Sequence, residues 1–400
     1  MRKALLIGVM AAALAAPAMA QKKYDPGATD KEIKIGNTNP YSGPASAYGQ
    51  IGKAIAAYFK MVNDQGGVNG RMINFISYDD GYSPPKTVEM ARKLVEQDQV
   101  LFLFQTLGTP SNTAIHKYMN AKKVPQLFVA TGASKWNDPK HFPWTMGWQP
   151  NYHTEGMIYA KHILQTKPDA KIAILYQNDD YGKDYLKGME DGLGQKASSM
   201  IVAKASYEVS DPTIDSQIVQ LQASGANVFF QATTPKFAAQ AIRKVYDIGW
   251  KPVHYLNNVS ISVGSVLQPA GLDKSVGIIT AGYQKEHSDP RFANDAGMNK
   301  WRAFMKKYMP DGNLDDNFNV YGYGVGQTLV QALKQCGDNL TRENVMRQAA
   351  SLKNVQIDTL LPGITVSTSS TDYAPIEAVQ LQRFDGKRWE LFGDVMSSAQ

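Results

Sequence analysis

Thr109 and Pro110 follow directly on the apolar run VLFLFQ, with only Thr-Leu-Gly between. Threonine suits a helix N-cap and proline the first helical position, so a helix is expected to begin there. The amides near Ser111 and Asn112 then lack intrahelical acceptors. A helix N-terminus carries roughly half a positive charge, which attracts a carboxylate. The run QLFVA leads in the same way into Thr131, Gly132, Ala133 and Ser134, adding backbone N–H groups and hydroxyls. Gly108 and Gly132 allow the backbone to come close to a bound molecule. Two such junctions on neighbouring strands form a cradle for an acid group without any arginine. The competing reading is that Thr109 and Ser134 only cap their own helices.

Other chemistries find little support. His116, His141, His153, His162, His254 and His287 include no HxxxH or HExxH spacing, so no metal site is expected. Asp79-Asp80 and Asp179-Asp180 each follow a strand and precede a helix, which fits loop and capping roles better than paired acid–base catalysis. There is no GxSxG elbow and no GxxxxGK[ST] loop; GVGQT, residues 324–328, lacks the lysine and lies in a helical pattern. Neither a cofactor nor an enzymatic activity is expected.

These junctions need a sheet to position them. KEIKIGNTNPYSGPASAYGQIGKAIAAYFKMVNDQGGVNGRMINFISYDD reads as strand, loop, helix, turn, strand. A second helix spans Pro84 to Gln97, followed by the buried strand VLFLFQ. Such alternation implies right-handed βαβ crossovers and parallel sheets covered on both faces. In parallel α/β sheets ligands bind at the carboxyl ends of the strands, so Tyr41, Ser42 and Tyr48, which follow the first strand, should line the same mouth as Thr109.

The order restarts at AKIAILYQNDDYGKDYLKGMEDGLGQK. Phe104-Gln105 and Thr109-Pro110 match Phe230-Gln231 and Thr234-Pro235 in a later copy. The fold class is therefore α/β, with two similar doubly wound parallel-sheet lobes and not a short-period solenoid. More helices follow in residues 281–362. The tail APIEAVQLQRFDGKRWELF reads as a hairpin turning at Asp385-Gly386.

A chain of 400 residues exceeds what one hydrophobic core usually serves. Cys336 is the only cysteine, which excludes an internal disulfide and suits a small buried apolar residue. The net charge of +6 includes Arg2 and Lys3 and gives no support to nucleic-acid binding. MRKALLIGVMAAALAAPAMA, residues 1–20, has the charged start, apolar stretch and Ala-Met-Ala end of a cleavable secretory signal, too short for a membrane span. Cleavage after Ala20 leaves an exported soluble chain; no stable membrane insertion is expected, and a monomer is.

NPYSGPASAYGQ, VNDQGGVNGR, YDDGYSPPKTVEMARKLV, VPQLFVATGAS and YQNDDYGKDY together, in this order, resemble the periplasmic solute-binding proteins of branched-chain amino-acid ABC importers. The resemblance covers nearly all of the chain after residue 20. It implies a type I periplasmic binding fold whose chain crosses the hinge three times. One lobe would hold residues 24–150 and 281–362, the other 151–280 and 363–400. It also implies a ligand enclosed by lobe closure and handed to ABC permease subunits. Carried over residue by residue, the carboxylate-holding role falls on Thr109, Ala133 and Ser134. Gln149 and Tyr152 stand near the first crossing, and Tyr283 at the second. Tyr181, Gln231, Thr233 and Asn258 are offered by the second lobe.

The sequence departs from the family pattern at one place. Relatives that bind amino acids use a second-lobe Glu for the α-ammonium, whereas the matching HYLNNVSIS has Asn257 and Asn258. A desolvated cation without a partner is costly. The ligand is thus either a hydrophobic amino acid or an aromatic or aliphatic acid without an ammonium, the latter preferred. Asp179 or Asp180 remains the candidate counter-charge. A rival from another class is a soluble sensor domain of the same fold; neighbouring permease and ATPase genes would separate the two.

Overall fold

A computed structural model describes residues 22–397, and the expected signal segment, residues 1–20, lies outside the described residues. The strands run in chain order β1 (Lys23–Tyr24), β2 (Glu32–Asn39), β3 (Met72–Asp79), β4 (Phe102–Phe104), β5 (Gln126–Val129), β6 (Thr145–Gly147), β7 (Ile172–Gln177), β8 (Ile201–Tyr207), β9 (Val228–Ala232), β10 (Val253–Leu256), β11 (Ile279–Gly282), β12 (Asn339–Leu340), β13 (Ala378–Phe384) and β14 (Trp389–Ser397).

The first sheet has the order β3-β2-β4-β5-β6, all parallel. The second has the order β14-β13-β11-β10-β9-β7-β8. Its parallel part, β8-β7-β9-β10-β11, repeats the first sheet's order, and the hairpin β13–β14 adds two antiparallel strands. Each lobe therefore winds outward in both directions from its first strand. Crevices open where the winding reverses: between β2 and β4 in one lobe, and between β7 and β9 in the other.

The chain passes between sheets three times: after β6, after β11 and before β13. The short central strand β4, Phe-Leu-Phe, is fully buried, as expected of a strand covered on both faces. Helix Gly49–Asp64 packs on helix Asn317–Cys336, so a segment that returns after β11 closes the core of the first lobe.

Local details differ from the sequence reading. The expected helix Pro84 to Gln97 is α-helical over Pro84–Arg92 and finishes in a wider turn at Lys93–Gln97. The C-terminal hairpin turns through four residues, Asp385 to Arg388. The Asp385 carboxylate accepts the amides of Lys387 and Arg388. Asp79 and Asp80 hold loops: Asp79 accepts from the amides of Tyr41, Ser42 and Gly81, and Asp80 from the Tyr82 amide and the Thr87 hydroxyl. Among the described residues, no helix is long and apolar enough to cross a membrane, and no group of three or more His, Cys, Asp or Glu could hold a metal ion.

Candidate functional site

A cavity with about 540 Å³ of empty space, part of it open to solvent, lies between the two crevices. Tyr48 and Ile51 reach it from the segment after β2, and Gly108 and Thr109 from the junction after β4. Tyr181 and Thr234 reach it from the matching junctions after β7 and β9. Gln149, Tyr152 and Tyr283 come from the passages between lobes. Among the described residues, the lining includes the rings of Tyr48, Tyr82, Tyr152, Tyr181, Tyr283, Phe318 and Tyr321, and no Asp, Glu, Lys, Arg or His. Burial pushes the pKa values of the six tyrosines well up, so all stay protonated donors.

The helix after β4 spans Thr109–Lys122, and its N-cap is Gly108 at φ 100°, not Thr109 as expected. Positive φ selects glycine there, and a Cβ would stand 2.5 Å from Tyr82 Cε2. The Asn112 amide is satisfied by the Gly108 carbonyl at 2.9 Å. Thr109 and Ser111 are first-turn residues, and their amides have no intrahelical acceptor.

The Thr109 hydroxyl lies 2.6 Å from that of Thr131. Thr131 Oγ1 already accepts from Trp136 Nε1 at 3.1 Å and from the Ala133 amide at 3.3 Å. Either hydroxyl of the pair can donate; when Thr131, which already accepts twice, donates to Thr109, the Thr109 proton is left for the cavity. Thr131 thus stands behind Thr109 and orients it.

The second lobe repeats the motif with a different outcome. Thr234 caps helix Pro235–Asp247 and lines the cavity. Its amide donates to Tyr207 Oη at 3.0 Å, and its hydroxyl to Gln177 Oε1 at 3.3 Å. At this junction the Thr234 amide is taken by Tyr207, whereas the Thr109 hydroxyl keeps a place on the cavity. The Thr-Pro junction that offers its threonine to an acid group is therefore the one on the first lobe.

Several expected site residues lie away from this cavity. Ser134 is exposed and gives its amide and hydroxyl to Asp184 of the opposite lobe, at 2.8 and 2.6 Å. With Ala133 it borders a separate surface cleft, so neither completes the cradle. Gly132 serves Tyr152 and not a ligand: a Cβ there would lie 2.1 Å from the Pro150 carbonyl oxygen and 2.7 Å from Tyr152 Cε1. Tyr41 bonds Ser77 at 2.6 Å, and Ser42 bonds Asp79 at 2.5 Å, both on the outer side of the first loop. Gln231 faces His254 at 2.7 Å, and Thr233 donates its hydroxyl to Gln231 at 2.7 Å. Asp180 pairs with Lys135, and Asp179 caps its own helix; neither lines the cavity as a counter-charge.

The residues brought together as expected are Tyr48, Gly108, Thr109, Gln149, Tyr152, Tyr181, Asn258 and Tyr283. Sequence reasoning missed Tyr82, Thr234, Gln284, Asn317, Phe318 and Tyr321. Thr234 carried a signal, because its Thr-Pro repeats Thr109-Pro110; the others did not stand out from loop and helix patterns. Also missed was Glu155, buried beneath the Asn258 loop. Its carboxylate accepts from Tyr159 and Tyr185 and from the Asn258 amide at 2.7 Å, and burial pushes its pKa up to about 7.

Both lobes meet around the cavity. Tyr48 donates to the Val259 carbonyl at 3.1 Å, Ser262 to Asp316 at 2.9 Å, and Lys135 pairs with Asp180 at 2.8 Å. A cavity between two doubly wound lobes, closed by contacts from both, defines a binding protein of the type I periplasmic class. Residues 32–388 match the family described as periplasmic binding protein, and the chain belongs to that family. The Leu/Ile/Val-binding protein homolog 1 of Brucella suis biovar 1 (strain 1330) is 26% identical over 362 residues, covering 89% of this chain and 91% of the relative. A branched-chain amino-acid ABC transporter structure from Thermus thermophilus with bound valine superposes with a TM-score of 0.82 at 16% identity, over 92% of this chain and 97% of that one. The solute-binding protein of an ABC transporter from Rhodopseudomonas palustris BisB5, in complex with 3,4-dihydroxy benzoic acid, gives 0.74 at 18% identity, over 92% and 98%. At these identities the structural likeness shows the fold alone.

Proposed function

We propose that this chain is the exported, periplasmic solute-binding component of an ABC importer, and that its ligand is a small aromatic carboxylic acid. The carboxylate is held on the first lobe by the hydroxyl and the open amide of Thr109. The body of the ligand lies among the rings of Tyr48, Tyr152, Tyr181 and Phe318. Closure follows because only the closed form lets both lobes touch the ligand. Permease subunits then take up the closed complex.

The observation that carries this reading is a lining rich in aromatic rings and without any acidic side chain. An α-ammonium enclosed there would lose its hydration without gaining an anion, a cost of several kcal/mol per ion. A benzoate-like acid has no such group, and its flat ring suits offset and edge contacts with the tyrosines.

Thermal unfolding with a panel of acids tests it. Benzoate and substituted benzoates should raise the midpoint, while leucine, isoleucine and valine should not. Stabilisation by leucine, with none by any aromatic acid, would replace this ligand class with the amino-acid one.

A further inference from the structure

Two residues of the cavity lining each carry a buried polar atom that has no hydrogen-bond partner among the described residues. Gln284 Nε2 is a donor and Asn317 Oδ1 an acceptor, each buried without a hydrogen bond, on side chains of residues only 8% exposed. Leaving such groups unpaired is costly, so their persistence in a cavity points to a partner that arrives with the ligand.

Their backbones are fixed. Gln284 forms a bridge with Leu360 just past β11, flanked by hydrogen bonds from Leu361 to Tyr283 at 2.9 Å and from Lys285 to Thr359 at 2.8 Å. Asn317 opens helix Asn317–Cys336, whose cap Asp316 is tied to Ser262 of the opposite lobe. The two segments meet at Trp148, whose ring packs against Tyr283 at 6.2 Å and Tyr321 at 4.9 Å. Tyr321 lies one turn beyond Asn317 on the same helix face.

The chemistry of the pair is selective for a single group: a zwitterion could satisfy it with two, but its ammonium would find no anion in the lining. A carboxylate accepts only and would leave Asn317 Oδ1 facing an anion. An ammonium donates only and would leave Gln284 Nε2 unpaired. A hydroxyl both accepts and donates through one oxygen.

We propose that Gln284 and Asn317 read a ring hydroxyl, so that the ligand is a hydroxylated aromatic acid. This rests on the aromatic-acid reading of the same cavity. Gln284 stands on a passage between the lobes, so the hydroxyl is read by a segment whose position closure sets.

The test compares 4-hydroxybenzoate and 3-hydroxybenzoate with 4-methylbenzoate and 3-methylbenzoate, which match them in size but cannot hydrogen-bond. Affinities are measured by titration calorimetry on the full mature chain, and on Gln284→Met and Asn317→Leu variants. In the unaltered protein, at least one hydroxy acid should bind about tenfold or more tighter than its methyl counterpart. That ratio should fall to about threefold or less in each variant. Equal binding of each hydroxy acid and its methyl counterpart by the unaltered protein would overturn the proposal while leaving the aromatic-acid reading intact. A preference that survives both substitutions would remove the role of these two residues. Binding of leucine with no binding of any benzoate would fell both readings. The comparison in the unaltered chain decides even if a variant fails to fold.

Discussion

Ser134 and Asp184 join the two lobes through a paired hydrogen bond: the Ser134 amide lies 2.8 Å from Asp184 Oδ2 and its hydroxyl 2.6 Å from Oδ1. Both donors that the sequence suggested for a ligand are spent on a carboxylate of the protein itself. With Lys135–Asp180 beside it, this pair is a clasp at the rim of the interlobe gap. Asp184 is half-buried, and desolvation pushes its carboxyl pKa up.

Breaking the clasp should favour the open form. In Asp184→Ala, ligand-free protein should show a larger radius of gyration by small-angle X-ray scattering. The apparent affinity should fall about three- to tenfold, because a smaller fraction is poised to bind. An unchanged scattering profile and affinity would show that the clasp contributes nothing to closure.

Thr109→Val keeps the volume of the side chain and removes the proton aimed into the cavity. A hydrogen bond to a charged acceptor is worth about 1.5–3 kcal/mol. Acid affinity measured by calorimetry should therefore fall at least about tenfold. The Thr131 proton, left without its acceptor, should also cost about 1 kcal/mol of stability in denaturant titrations.

Gly108→Ala tests the geometry of the same junction. The substituted residue must hold φ at 100° with its Cβ 2.5 Å from Tyr82. Strain of about 1–3 kcal/mol is expected, with Tyr82 displaced from the cavity wall. Calorimetric unfolding and acid binding should both suffer, unlike a substitution that lowers affinity alone.

Glu155 gives the fold a pH dependence of definite sign. Its native pKa of about 7 lies above the ordinary 4.5, because burial disfavours the charged form. Between these values the native state keeps a proton that the unfolded chain has released, so stability falls as pH rises from 4.5 to 7 and then levels off. The buried shift corresponds to roughly 3 kcal/mol. In Glu155→Gln the amide keeps an acceptor for Tyr159 and the Asn258 N–H and offers a donor to Tyr185. Denaturant unfolding at pH 5 and pH 8 should show a smaller loss in this variant than in the unaltered protein.

Much of the architecture was legible. Apolar runs ending in Thr-Pro or in Asn/Asp/Tyr/Gly loops marked strand-to-helix junctions, and their repetition marked two lobes wound in one order. Tyr48 and Thr109 could be placed at the cavity from the sequence because the carboxyl ends of parallel strands hold the residues that face a crevice. Thr234 was within reach of the same argument, through the repeat of Thr109-Pro110. Gln284, Asn317 and Tyr321 were not, since they sit in a returning segment whose pattern is that of an ordinary core helix. Ser134 was misread because its partner, Asp184, lies fifty residues away on the other lobe.

What the sequence determined by itself was the kind and order of the elements and the points where the winding reverses. Those follow from hydrophobic period, caps and turn residues, which act between near neighbours. Only the tertiary structure decided which donors stay free. Tyr207 takes the Thr234 amide, Asp184 takes Ser134, and Tyr48 reaches Val259 across the gap. Each outcome depends on groups brought together by how one lobe sits on the other, and no local pattern records that placement.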